Sequence, residues 1–132
     1  MKSHKTVFIA DDDSDDRSFI SDAIKEKDTS IDIIEAEDGA QLLDILKQDG
    51  TPEPTLIVLD MNMPKMNGLE TIAAIKSDSE LSSIPAVMIS TSSDQMLYRK
   101  AFQSGVADFF VKPYTFQGYR EMASQLKFKY LS

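Results

Sequence analysis

The sequence predicts an α/β protein built on a parallel sheet with helices on both faces. Three observations predict it. Five short apolar runs alternate along the chain with five amphipathic stretches. Two of those runs, LIVLD (56–60) and AVMIS (86–90), are apolar nearly throughout, as strands buried on both sides are. Most glycines and prolines fall between elements: Gly39, Gly50, Gly68 and Gly105, with Pro52, Pro54, Pro64 and Pro85. The resulting order, βαβαβαβαβα, requires crossover connections and hence parallel strands.

The elements justify themselves in turn. TVFIA (6–10) is β-branched and aromatic and reads as the first strand. Phe19, Ile20, Ala23 and Ile24 then recur at helical spacing, with Asp13 or Ser14 as N-cap. IDIIEA (31–36) is the most polar strand and suits a sheet edge. Leu42, Leu43, Ile45 and Leu46 mark the second helix, and LIVLD follows it. Leu69, Ile72, Ala73 and Ile75 mark the third, ahead of AVMIS. Met96, Leu97, Ala101 and Phe102 mark the fourth. DFFVK (108–112) is the last strand, and alternation of Phe109 and Phe110 across it puts one of them in the core. Tyr119, Met122, Leu126 and Tyr130 form the stripe of the fifth helix, with Gly118 an exception to the boundary rule, inside or near its start. The Met-rich stretch MNMPKM (61–66) reads as a loop with exposed or partner-facing side chains. There is no repeat, linker or low-complexity segment.

Composition narrows the function. The 132 residues fit one domain, spanning 1–132, and 42% of them are apolar, enough for a real core. The formal charge of −8 excludes a general nucleic-acid or anionic-membrane binder, because phosphate neutralisation requires a basic surface. No segment approaches the roughly 18 apolar residues that span a bilayer. The apolar run near the N-terminus is too short for a signal peptide, so a cytoplasmic location is expected. With no cysteine, disulfides and Cys-zinc sites are excluded. His4, the single histidine, sits in an N-terminal segment expected to fray, so neither a Ser-His-Asp triad nor a His metal cluster is available.

In open parallel α/β sheets, ligands bind beyond the carboxyl ends of the strands. The first strand ends in Asp11 and Asp12, the third in Asp60, the fourth in Ser90 with Thr91 and Ser92 after it, and the fifth in Lys112 before Pro113. Three carboxylates, a hydroxyl and an ammonium thus meet at one crevice. Clustered carboxylates call for a cation. Oxygen ligands without His or Cys favour Mg²⁺, Mn²⁺ or Ca²⁺. A carboxylate is also a competent nucleophile at phosphorus, and the transferred group needs its charge met on several sides.

These pieces together resemble the receiver domain of two-component response regulators, including the stand-alone chemotaxis type. Four separated matches carry the resemblance: the acidic pair in IADDDSDDR (9–17), the segment VLDMNMPKMNG (58–68), the hydroxyl residue ending IS (89–90), and VKP (111–113). Ser90 lies 30 residues after Asp60 and Lys112 lies 52 after, the separations of that family. The resemblance runs from about Lys5 to Leu131. It implies a flavodoxin-like, doubly wound (βα)5 fold with strand order 2-1-3-4-5. It makes Asp60 the phosphorylated residue, with Mg²⁺ (Mn²⁺ substituting) bound by Asp12 directly, by Asp11 mainly through water, by Asp60 and by the carbonyl of Asn62. Ser90 contacts the phosphoryl group and Lys112 pairs with it, ahead of a cis peptide to Pro113. Phe109 takes the switch-aromatic position. There Phe stands for a frequent Tyr, and Thr91 for a usually smaller residue whose extra bulk narrows access to Asp60. Asn62 and Ser92 occupy positions that tune phosphoryl lifetime.

The implied partner is a sensor histidine kinase or a histidine phosphotransfer protein. About 20 residues follow Lys112, and the last helix uses them, so no output domain is expected and output is by protein–protein contact from a monomer or weak dimer. The resemblance implies a signalling domain and not an enzyme, one that catalyses only its own phosphorylation and dephosphorylation. Asp13, Asp15 and Asp16 read as acids decorating a helix N-terminus. Three other functions fit the sequence less well. A calcium EF-hand loop fails because its sixth position, a glycine, is Asp16. A phosphatase of the haloacid-dehalogenase type lacks its general acid/base, since Asn62 stands two residues after Asp60. A receiver-like scaffold that is never phosphorylated would keep the fold while making no use of the site residues.

Overall fold

The computed structural model describes residues 4–132. Five strands and five helices alternate: β1 (Thr6–Ala10), α1 (Ser14–Lys27), β2 (Asp32–Ala36), α2 (Gly39–Lys47), β3 (Leu56–Asp60), α3 (Gly68–Ser77), β4 (Ala86–Ser90), α4 (Gln95–Ser104), β5 (Asp108–Val111) and α5 (Phe116–Tyr130). All strand pairs are parallel, in the order β2-β1-β3-β4-β5. The order, the alternation and the edge position of β2 follow the sequence reading, and the strand ends shift by one residue at Ile31 and Lys112.

Alternation along each strand sorts the core into two layers. Phe8, Ile57, Leu59 and Met88 pack with Leu42, Ile72, Ile75 and Ala101 from α2, α3 and α4. Val7, Ile9, Val58, Val87 and Ile89 pack with Ile20, Ile24, Tyr119, Met122 and Leu126 from α1 and α5. β1, β3 and β4 are buried at every position, whereas β2 is largely open. α1 and α5 therefore lie side by side on one face, which matters for the site.

Helix starts follow local chemistry. Asp13, not Ser14, caps α1, accepting from the N–H groups of Asp15 and Asp16. Asn67 and Glu70 form a reciprocal capping box on α3. Three expectations are corrected. Met61 and Met63 are buried in the layer beneath α2 and α3 rather than exposed, the flexible thioethers filling an irregular gap. Phe109 and Phe110 are each half-buried, one on either layer, because β5 is a sheet edge. His4 is exposed but held, its imidazole bonded to the Asp32 carboxylate. Among the described residues, no helix is long and apolar enough to cross a membrane.

Gly68 shows how tightly the site's support is packed. A Cβ there would lie 2.5 Å from the carbonyl oxygen of Asp60 and 2.9 Å from the Cα of Met61. Both are backbone atoms and cannot turn aside. Gly68→Ala is expected to cost about 1–3 kcal/mol of stability by overpacking. A chemical-denaturation curve matching the wild type would contradict this contact.

Candidate functional site

Four strand ends place the candidate residues on one rim. Beyond β1, the Asp11 N–H donates to the carbonyl of Ala36 (3.1 Å), extending the β1/β2 ladder by one residue. Arg17 fixes the same point, donating through Nη1 to the Asp11 carbonyl (2.6 Å) and pairing through Nε with Glu35 (2.9 Å). The Asp11 Oδ1 accepts from the Asp13 N–H at 2.9 Å. Asp60 ends β3 with its carboxylate buried; its Oδ1 accepts from the Asn62 N–H at 3.3 Å. Carboxylate oxygens of Asp11, Asp12 and Asp60 lie within 4.8 Å of one another.

One ammonium serves this cluster. Lys112 Nζ lies 2.8 Å from Asp16 Oδ2, 2.9 Å from Asp11 Oδ2 and 3.4 Å from Asp60 Oδ2. Burial works to lower the Lys112 pKa, but its pairing with Asp16 and Asp11 and the charges of Asp11 and Asp60 outweigh it and raise it, so the group stays charged. Burial raises Asp11, against the bond from Asp13 and the ammonium. Burial, then the neighbouring charge of Asp11, pushes Asp60 up to about 7. The cluster is therefore short of positive charge. Asp11 Oδ2, fully buried, meets Lys112 only as an ion contact and accepts no hydrogen bond of good geometry. An all-oxygen donor set with a spare lone pair and uncompensated charge fits a hard divalent cation such as Mg²⁺ or Mn²⁺.

The crevice above is lined by Asp12, Asp16, Asp60, Asn62, Thr91 and Lys112, among others. Residues 7–124 match the family described as the response regulator receiver domain. The chain belongs to that family. This receiver domain is 32% identical over 115 residues to chemotaxis protein CheY1 of Helicobacter pylori, covering 87% of this chain and 90% of that protein. It is also 32% identical over 95 residues to response regulator Rcp1 of Synechocystis, covering 69% of this chain and 65% of that one. Its fold superposes on the phosphorylated cyanobacterial phytochrome response regulator RcpA with a TM-score of 0.91 at 28% identity, over 98% of this chain and 96% of that one. The Mn²⁺-bound form of Rcp1 gives 0.83 at 26% identity, over 93% and 91%.

Within the receiver domain, Asp11, Asp12, Asp60 and Lys112 come together as the strand ends predicted. Ser90 is fully buried at the end of β4, and its Oγ accepts from the Ser92 N–H (3.1 Å) rather than bonding Asp60. Ser92 in turn bonds the Asp94 N–H (3.1 Å) at the start of α4. Thr91 and Asn62 stand exposed at the crevice rim. Phe109 packs against the α2–α4 layer with its ring 5.5 Å from that of Tyr98. The expected cis peptide before Pro113 is not found: among the described residues every peptide bond is trans, the isomer that even X-Pro bonds favour by about 0.5–1 kcal/mol.

Sequence reasoning missed Asp16 and the Tyr119 hydroxyl. Asp16 reads as helix decoration but pairs with Lys112 across 96 residues, and Tyr119 Oη donates to its other oxygen at 3.4 Å. The available signal was that α1 begins directly above the functional rim, so its first turn overlooks the crevice.

Proposed function

We propose that this receiver domain is a phosphorylation switch in which Asp60 accepts a phosphoryl group from a phosphohistidine on a sensor kinase or phosphotransfer protein. The observation that carries this reading is the meeting of three carboxylates with a single lysine at the carboxyl edge of the sheet. An Asp60 carboxylate oxygen forms the new O–P bond as the N–P bond breaks, and the departing imidazole takes up a proton. Asp11, Asp12, Asp60 and the carbonyl of Asn62 would hold Mg²⁺, with Mn²⁺ as substitute. That ion supplies charge neutralisation at the phosphoryl oxygens. Lys112 meets a second side of the group, and Ser90, released from Ser92, meets a third.

Ser90 moving toward Asp60 leaves space into which Phe109 repacks from its contact with Tyr98. That alters the face made by α4, β5 and α5, where Met96, Tyr98, Phe102 and Val111 are exposed. Driving such a switch from 1:99 to 99:1 takes about 5.5 kcal/mol, within reach of a few charge-assisted bonds in a buried site. Output passes by protein–protein contact in the cytoplasm, from a monomer or weak dimer. The domain catalyses no reaction but its own phosphorylation and dephosphorylation.

The test is intact mass after incubation with Mg²⁺ and acetyl phosphate or a phosphorylated histidine donor. One phosphoryl group is expected on wild type and none on Asp60→Asn or in excess chelator. A label on Asp60→Asn, or none on wild type from either donor, would overturn the reading.

A further inference from the structure

The lysine at this site is not aimed at Asp60. Its Nζ sits closest to Asp16 and Asp11, at 2.8 and 2.9 Å, and stands off from Asp60 at 3.4 Å. One cation therefore divides itself among three acids. A phosphoryl group on Asp60 replaces a single carboxylate charge with a larger one and draws the ammonium toward Asp60, away from the two acids that hold it more closely. Burial decides which of them is released. The Asp11 side chain is 0% exposed and the Asp60 side chain 4%, so neither finds water when its cation leaves. The Asp16 side chain is 23% exposed and can be rehydrated. Its cost of release is the smallest of the three.

Asp16 is also held in place for the task. Asp13 accepts from the N–H groups of Asp15 (2.8 Å) and Asp16 (3.3 Å), which sets the first turn of α1. The Tyr119 hydroxyl reaches across from α5 to the second Asp16 oxygen. The position is set by α1 packing against α5.

From this geometry we infer that Asp16 is a positioning residue that competes with the phosphoryl group for Lys112, so that the switch is biased toward its unphosphorylated state by an internal anion. The inference rests on Asp60 being the phosphoacceptor. It assigns Asp16 no contact with the incoming group. Phosphorylation and Asp16 pairing are alternatives at one ammonium, and each weakens the other.

The test is calorimetric binding of beryllofluoride, a phosphoryl analogue, at saturating Mg²⁺. Asp16→Asn is expected to bind it about fivefold more tightly than wild type, the affinity equivalent of a partly exposed ion pair. Asp15→Asn, one residue away with no contact to Lys112, measures the general effect of removing a nearby charge and is expected to change affinity less than about twofold. Asp16→Glu, which keeps the competing carboxylate, is expected to stay near wild type. In a Lys112→Ala background, Asp16→Asn is expected to give no gain. Equal or weaker binding by Asp16→Asn, or an equal gain from Asp15→Asn, would overturn the competition while leaving Asp60 as acceptor. A wild type that binds no beryllofluoride would overturn the acceptor assignment and this inference with it.

Discussion

Lys112→Met is expected to lower stability by about 3–5 kcal/mol at neutral pH in the presence of chelator, the typical penalty for stranding buried partners of a broken ion pair. Asp11 and Asp60 are both buried, and among the described residues Lys112 is the cation that pairs with them. Without it, the pKa values of both acids rise further above those of the unfolded chain. The folded state then binds more protons than the unfolded state across that window, so stability falls as pH rises through it and returns on acidification. Adding Mg²⁺ is expected to recover part of the loss, because the same carboxylates face the cation site. Denaturant titrations at pH 5 and pH 8, with and without Mg²⁺, measure each arm. A variant as stable as wild type at pH 8 in chelator would show that the ammonium does not neutralise this cluster.

Asp60→Asn carries the opposite sign. Burial, then the charge of Asp11, holds the Asp60 carboxyl up at about 7. Its ionised form is thus a burden on the metal-free fold, absent below the unfolded value near 4 and complete above about 7. Replacing it with the neutral isostere is expected to raise stability at pH 8 in chelator by on the order of 2–4 kcal/mol. Lys112 keeps Asp11 and Asp16 as partners, so no new orphan is made. The gain should shrink at pH 5 and in Mg²⁺. Loss of stability at pH 8 would mean that the carboxylate is better compensated than its surroundings indicate. Together, the two variants weigh function against stability in one site: the group proposed for chemistry destabilises the metal-free fold, and its neighbour limits the damage.

The architecture was legible because apolar runs of five residues between turn signals leave little choice. The strand order was not a matter of pattern and came through the family resemblance. Asp11, Asp12, Asp60, Ser90 and Lys112 were legible for one reason: in a parallel sheet, every strand delivers its last residue to the same rim. Asp16 lies on a helix, and its role depends on which helix packs beside which, a long-range property with no local signature. Tyr119 was read correctly as core, but its hydroxyl needs a partner at the site, which only packing of α1 on α5 supplies. Met61 and Met63 were misread because a Met-rich loop looks solvated until the layer beneath α2 and α3 is seen to need filling.

The last rung of the β4/β5 ladder joins Lys112 to Ser90, the Lys112 N–H donating to the Ser90 carbonyl at 2.7 Å. The residues proposed to grip two sides of the phosphoryl group are thus tied through their main chains. A shift of the Ser90 main chain would carry the Lys112 backbone along and couple the two grips as one jaw. The Lys112 amide proton, at the hinge of that jaw, becomes a single-site reporter, its rate of deuterium exchange recording how often the tie between the two strand ends breaks.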